Sequence, residues 1–264
     1  MRKFFADIKK YYKYVIYAGQ TDLKAEVANS YLNWLWWIIE PLCFMFIYSL
    51  VFGIFFGSKE PHFNVFVYIG ITMWDFFSHT LQASVKIIRT NKAIVSKVYL
   101  PKYMFILQKM YVNGFKLMIA FILLFIMMIV TGVTLTWNIL WMFPILISMF
   151  LFTFAICTFL LHFGVYVDDL GNVVRIFLRM MFYLTGVFYS LQTRAAAAFG
   201  DRIAALIGHI NPMASTITAM RDALLYGTMP DVKYLGLWSL AGLVVSIIGI
   251  KLIYDNENTY VKVI

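Results

Sequence analysis

Charged side chains are scarce in this sequence. They make up 13% of 264 residues, about half the roughly 25% of an ordinary soluble domain, while apolar residues reach 62%. A globule so composed lacks the polar surface to stay in water, so the chain is read as an integral membrane protein. Two cysteines exclude a disulfide-stapled secreted fold, and Cys43 and Cys157 both lie in apolar runs, as buried thiols do. The four histidines (His62, His79, His162 and His209) stand apart with no metal-ligand spacing, so no metal is expected. A Gly-x-Ser-x-Gly elbow, a Cys/His constellation and a Gly-x-x-x-x-Gly-Lys-[Ser/Thr] phosphate loop are all missing. Any ATP used therefore binds another chain, and no cofactor is expected in this one. Met1–Tyr17 has scattered lysines but neither the apolar core nor the small-residue cleavage site of a signal peptide.

What is abundant is the long apolar run. About 20 such residues cross a hydrocarbon core of roughly 30 Å. Trp34–Phe56, Phe63–Val85, Tyr103–Val130, Ile139–Phe163 and Tyr234–Tyr254 meet that length, and Val173–Leu191 is just long enough. The expected fold is thus all-α, with six transmembrane helices in one domain over residues 1–264. Within it, 1–33 form interface and gate helices, 34–191 spans one to five, 192–231 an outer re-entrant segment and 234–254 span six. Six spans put both termini on one side. With that side inside, 17 of the 22 Lys and Arg residues are cytoplasmic, leaving only Lys59, Arg194, Arg202, Arg221 and Lys233 outside. That is the positive-inside pattern, so both termini are expected in the cytoplasm, and the net charge of +9 reads as membrane anchoring with no nucleic acid partner.

Two segments are neither spans nor plain loops. Phe4, Phe5, Ile8, Tyr11, Tyr12, Val15 and Ile16 recur at helical spacing away from Lys3, Asp7, Lys10 and Lys13, which predicts an amphipathic helix lying in the inner interface plane. In 192–231, Ala195–Ile207 and Met213–Tyr226 are helical in pattern but too short to cross. They flank Asn211-Pro212, a turn whose proline suits the first residue of a helix. The expectation is a helix pair that dips into the outer leaflet and returns.

Polar groups inside the apolar layer are expensive and mark special faces. Asp75, Ser78, His79 and Gln82 in span two follow i, i+3, i+4, i+7 spacing and share a face. That stripe faces the bundle interior, a subunit interface or an aqueous passage. Glu40-Pro41 near the start of span one predicts a bend and a carboxylate paired with an inner-loop base. Arg175 and Arg179, four apart, share a face at the start of span five and either snorkel to headgroups or meet a phosphate. Asp168-Asp169 is an adjacent carboxylate pair, but neighbours on a helix point about 100° apart, which suits a polar inner loop with an N-cap at Asp169 or Asn172 better than a shared metal.

The chain resembles the membrane subunit of bacterial ATP-binding-cassette exporters of lipid-linked polysaccharides and teichoic acids, over nearly its whole length. The resemblance rests on five blocks in order. Thr21-Asp22-Leu23-Lys24, Tyr31-Leu32, Leu35-Trp36 and Pro41 form the first, with Thr21 where arginine is usual and Asn33 where glycine is usual. Gly70-Ile71, Trp74 and Phe76-Phe77 form the second, Asn91, Lys97 and Pro101 the third, Asp168/Asp169 the fourth, and Asn211-Pro212 with Arg221 the fifth.

The resemblance implies a homodimer that binds two copies of a Walker-motif ATPase, which holds ATP and magnesium. It implies that Thr90–Leu100 forms a short coupling helix on that ATPase, with Asn91, Lys92, Ile94, Lys97 and Tyr99 as coupling residues. Spans one, two and five would frame a channel for the glycan in the bacterial plasma membrane. Aromatic faces that hold sugar without register are then expected among Trp34, Trp36, Trp37, Trp74, Phe76, Phe77, Tyr183, Phe188 and Tyr189, beside Asp75 and His79. Arg175 and Arg179 are candidates for the pyrophosphate of the lipid carrier. A permease of the same architecture for drugs or small lipids is the nearest alternative, and a metal-dependent transferase using Asp168 and Asp169 a more distant one.

Overall fold

The computed structural model describes residues 2–28, 31–55, 57, 60–191, 200 and 208–263, and every regular element among them is helical. The elements are α1 (Arg2–Val27), α2 (Trp36–Tyr48), α3 (Phe63–Val85), the single turns α4 (Ile87–Thr90) and α5 (Lys92–Val95), α6 (Tyr103–Thr131), α7 (Met142–Tyr166), α8 (Leu170–Leu184), α9 (Pro212–Leu224) and α10 (Val232–Val263). A 3-10 turn at Asn33–Leu35 leads into α2 and a π-helical stretch, Ser49–Phe55, continues it past Tyr48. Asn33 has a φ of 52°. That left-handed conformation suits glycine, and asparagine is among the few side-chain-bearing residues that adopt it readily, which explains why it stands in glycine's place.

Among the described residues, four helical stretches are long and apolar enough to cross a membrane: Asn33–Phe55, Tyr103–Thr131, Trp137–Tyr166 and Val232–Tyr260. The chain is thus a multi-pass membrane protein. Two of the six expected spans fall short of that measure, each for a physical reason. α3 has 23 residues, about 35 Å at 1.5 Å per residue, but its polar stripe lowers its hydropathy. It is also the inner helix of the bundle, buried over most of its length against α6 and α7, so its sequence need not match lipid. α8 has 15 residues, about 22 Å, because the helix stops at Leu184 instead of reaching Leu191. Phe56, Lys59, Gln192, Arg194, Arg202 and the first re-entrant half, Ala195–Ile207, lie outside the described residues.

Close helix contacts are made where side chains are smallest. A Cβ on Gly242 of α10 would come within 2.8 Å of the Phe152 backbone nitrogen of α7, and one on Gly249 would collide with Thr158 a turn or two further along. Gly164 of α7 likewise leaves no room for a Cβ against the Val85 carbonyl of α3. Small residues that let backbones approach are the usual source of association between helices in lipid, where no hydrophobic drive operates.

α1 is amphipathic as expected but longer, running to Val27. Phe4, Ile8, Tyr11 and Val15 pack inward while Phe5, Tyr12, Ile16 and Tyr17 stay exposed. Its partners on α6 advance with it. Asp7 accepts from Tyr103 at 3.0 Å, Asp22 pairs with Lys109 at 2.6 Å and takes a bond from Gln108 at 2.9 Å, and Glu26 pairs with Lys116 at 2.5 Å. α1 therefore packs along the first turns of α6. These are its polar turns, and the salt bridges fix α1 against them.

Candidate functional site

The polar stripe of α3 meets the two arginines of α8 across a groove of about 750 Å³. Glu40, Asp75, Ser78, His79, Gln82, Arg175 and Arg179 supply its polar wall, and Phe44, Tyr48, Trp74, Phe182 and Tyr183 its aromatic one. A smaller cavity of about 90 Å³ adjoins it behind Glu40, Asp75 and His79, where Trp37, Thr72, Phe76, Asn113 and Lys116 close in. Each wall follows from helical spacing. Glu40, Phe44 and Tyr48 recur every four residues on span one, and Arg175, Arg179 and Phe182 follow i, i+4, i+7 on α8.

Polarity changes along the groove. Its arginines sit in the middle turns of α8, Phe182 and Tyr183 in the last, so charge gives way to aromatic surface along the helix. Beyond the aromatics of the groove lies a further cluster of rings. Phe188 stacks on Phe52 at 4.2 Å between ring centroids and on Tyr48 at 5.5 Å, and Phe182 meets its edge at 5.6 Å. The Tyr189 hydroxyl ties this turn back by donating to the Tyr183 carbonyl at 2.5 Å.

The stretch that follows α8 is held by residues from far away in sequence. Gly186 takes a φ of 71° and the helix breaks, leaving carbonyls that need donors. Arg221 of α9 supplies them. Its guanidinium donates to Gly186 at 2.9 Å, Val187 at 2.5 Å and Phe66 of α3 at 3.2 Å, and it lies 3.4 Å over the Phe66 ring. Burial presses the Arg221 pKa down, while Tyr226, Glu60 and Asp222 hold it up. At the other end of α9, Asn211 caps the helix by accepting from Met213 and Ala214, with Pro212 the first helical residue. Its amide also donates to Thr185 at 2.9 Å. Gly70 is where this clamp touches α3: a Cβ there would lie 2.5 Å from the Val187 carbonyl oxygen and 2.7 Å from an Arg221 nitrogen.

Of the expected channel residues, Trp74, Asp75, His79 and Tyr183 line the groove, as do both pyrophosphate candidates, Arg175 and Arg179. Trp37 and Phe76 line the smaller cavity. The others are placed elsewhere. Trp34 and Trp36 are half exposed and line neither cavity, and Phe77 is buried against Phe152 at 5.9 Å. Phe188 and Tyr189 belong to the turn after α8. Trp74, although on the groove wall, is only 5% exposed and packs on Phe77 and Phe182. The residues missed were Phe44, Tyr48 and Phe182, and continuing the helical spacing from Glu40 and Arg175 finds all three. Glu40 faces Asp75 across the groove, and the salt bridges among the described residues, Arg89–Asp168, Lys109–Asp22 and Lys116–Glu26, do not include it.

The inner loop forms two single turns where one short helix was expected. Asn91 sits at their junction, its amide donating to the Ile87 carbonyl at 2.8 Å and its own carbonyl accepting from Ile94 and Val95. Val95 and Leu100 are buried anchors, while Lys92, Ile94, Lys97, Val98 and Tyr99 are exposed. Arg89 binds the Asp168 carboxylate and donates to the Val165 carbonyl at 2.9 Å, tying this loop to the α7–α8 turn. Asp168 is thereby engaged by a base, and Asp169 precedes α8 without a side-chain capping bond.

The family model for ABC-2 type transporters matches residues 18–225. The chain is similar to an O-antigen export system permease protein RfbA of Klebsiella pneumoniae, with 23% identity over 244 residues, 92% of each chain. It is also similar to the O-antigen export system permease protein RfbA of Myxococcus xanthus, with 26% identity over 230 residues, 86% of each.

Proposed function

The chain belongs to the ABC-2 type transporter family, as a transport subunit whose ATP hydrolysis resides in a partner, and on that premise we propose that it exports a lipid-linked polysaccharide or teichoic-acid-type polymer. The name of its relatives, O-antigen export permease, supports a glycan cargo. The single observation that carries the reading is the groove that joins Arg175 and Arg179 to the α3 stripe and to a run of aromatic faces. Guanidinium groups pair bidentately with phosphate oxygens, so the two arginines receive the carrier's pyrophosphate. Asp75, His79 and Gln82 offer hydrogen bonds to the sugar next to it. Trp74, Phe182 and Tyr183 give flat faces on which a sugar slides without register, with Trp37 and Phe76 behind.

Membrane topology follows from the same reading. α3 and α8, with the four long apolar stretches, make six spans in the bacterial inner membrane, with both termini cytoplasmic. α9 belongs to the outer re-entrant segment. Two copies of the chain pair across spans one, two and five and bind two ATPase subunits, which hold ATP and magnesium, and the chain uses no cofactor of its own. Asn91, Lys92, Ile94, Lys97 and Tyr99 meet the ATPase, and its closure opens the route past Phe52 and Phe188.

The test is ATPase activity of the reconstituted complex titrated with polyprenyl-diphosphate-linked glycan. Stimulation by the glycolipid that Arg175→Ala weakens supports the reading. A response to amphiphilic drugs or small lipids alone would assign the groove to that cargo class instead.

A further inference from the structure

We infer that the last turns of α10 are the strut against which the inner loop bears, with Glu257 as its positioning residue; this rests on reading Thr90–Leu100 as the segment that meets the ATPase. α10 runs to Val263, well past the expected end of span six at Tyr254. Its 32 residues measure about 48 Å, against roughly 30 Å of hydrocarbon, so several turns project beyond the core.

Three side chains on those turns each grasp a different element. The Tyr254 hydroxyl donates to Asp7 of α1 at 2.5 Å and lies 2.8 Å from the Tyr103 hydroxyl at the head of α6. Glu257 accepts from the Tyr99 hydroxyl of the inner loop at 3.2 Å. Tyr260, fully buried, places its hydroxyl 2.8 Å from Nδ1 of His162 on α7. At positions three apart, one end of a helix thus holds the amino-terminal helix, the loop and two long helices together.

Glu257 is only 8% exposed, an expensive place for a carboxylate. Lys102, 2% exposed, is the cation whose charge it feels, and the Lys102 ammonium donates to the Leu100 carbonyl at 3.2 Å, while the second Glu257 oxygen has no hydrogen-bond partner among the described residues. Burial draws the Lys102 pKa down and the Glu257 charge opposes it. A buried acid and base add little stability over apolar packing, so their value here is in position. They fix Tyr99 and Leu100, the end at which the loop enters α6. Arg89 and Asp168 fix its other end. A push on the exposed Ile94, Lys97 and Val98 then passes into α10 on one side and into α7 and α8 on the other.

The experiment uses the full complex with its ATPase in liposomes and reads glycolipid exported per ATP hydrolysed. Glu257→Leu and, separately, Tyr99→Phe are expected to lower that ratio about tenfold, the loss typical of one charge-assisted hydrogen bond. Docking is read independently by cross-linking a cysteine at position 97 to the ATPase. A retained cross-link with a lowered ratio supports the strut. If the cross-link and the ratio both stay at wild-type values, the strut is refuted while the docking reading stands. If no cross-link forms in the wild-type background, the docking reading fails and the strut with it. A bismaleimide bridge between cysteines at 99 and 257 covers the case where Glu257→Leu does not fold: the bridged pair should regain coupling that the unbridged pair lacks, and no gain refutes the strut.

Discussion

Replacing Arg221 with methionine removes the clamp behind α8 while keeping its bulk. Three carbonyls, of Phe66, Gly186 and Val187, lose a charged donor in a buried setting. Each such bond contributes about 1.5–3 kcal/mol, from which several kcal/mol is recovered because a buried cation no longer needs desolvating. The net loss is put at about 3 kcal/mol. Gly70→Ala attacks the same joint from α3, since its Cβ would sit 2.5 Å from the Val187 oxygen and 2.7 Å from the guanidinium. Overpacking of that kind costs about 2 kcal/mol. Once the arginine is gone, the turn after α8 is free to yield to the added methyl, so the double variant should lose about 1 kcal/mol less than the sum of the two. Unfolding in mixed micelles, followed by helical circular dichroism across a denaturing-detergent titration, measures all three variants. Additivity within about 0.5 kcal/mol would show that the two positions act separately and would refute the clamp. Arg221→Lys is a further check, because a single ammonium cannot reach carbonyls on two elements as the guanidinium fork does.

The remaining expectations are shorter. Arg175→Ala combined with Arg179→Ala should raise the glycolipid concentration for half-maximal ATPase stimulation at least about tenfold, and an unchanged titration would remove both arginines from the phosphate role. Trp74→Ala should cost about 3–5 kcal/mol in folding because Trp74 is packed on Phe77 and Phe182. Trp36→Ala, at a half-exposed position, should cost under about 1 kcal/mol; equal losses would contradict the placement of the two rings. Burial holds the Asp222 carboxyl up at about 6, with Arg221 opposing and Asp231 adding to the rise. The folded chain therefore binds a proton more readily than the unfolded one, and thermal stability should increase as pH falls from 7 through 6 towards 4. Asp222→Asn should flatten that dependence, and an unaltered profile would show that another group sets it.

How much was legible in the sequence differed by the kind of force involved. The α3 stripe and the arginine pair were visible because helical spacing alone puts Asp75, Ser78, His79 and Gln82 on one face and Arg175 and Arg179 on another. That the two faces meet was not visible, because nothing local to either segment encodes the crossing. Asn211 and Arg221 stood out as a motif, yet their job lay hidden: the Thr185 hydroxyl and the Gly186 and Val187 carbonyls they serve lie at a break that an apolar run conceals. The same break is why span five was drawn too long. Trp34, Trp36 and Phe77 were grouped with Trp74 by residue type, whereas burial and neighbours separate them. α1 was drawn too short because the amphipathic pattern was followed only to Ile16; its continuation to Val27 is held by Lys109 and Lys116, which sit in a different helix. The projecting turns of α10 were missed because its hydropathy falls after Tyr254 while the helix does not end.

Transport by the reconstituted complex tests the central claim most directly. With the chain and its ATPase in sealed liposomes carrying a polyprenyl-diphosphate-linked glycan, ATP should render the glycan accessible to a membrane-impermeant lectin on the far side. Arg175→Ala with Arg179→Ala should slow that appearance without abolishing ATP hydrolysis. Glycan that stays sequestered while ATP is hydrolysed, or crosses at the same rate without ATP, would contradict the account.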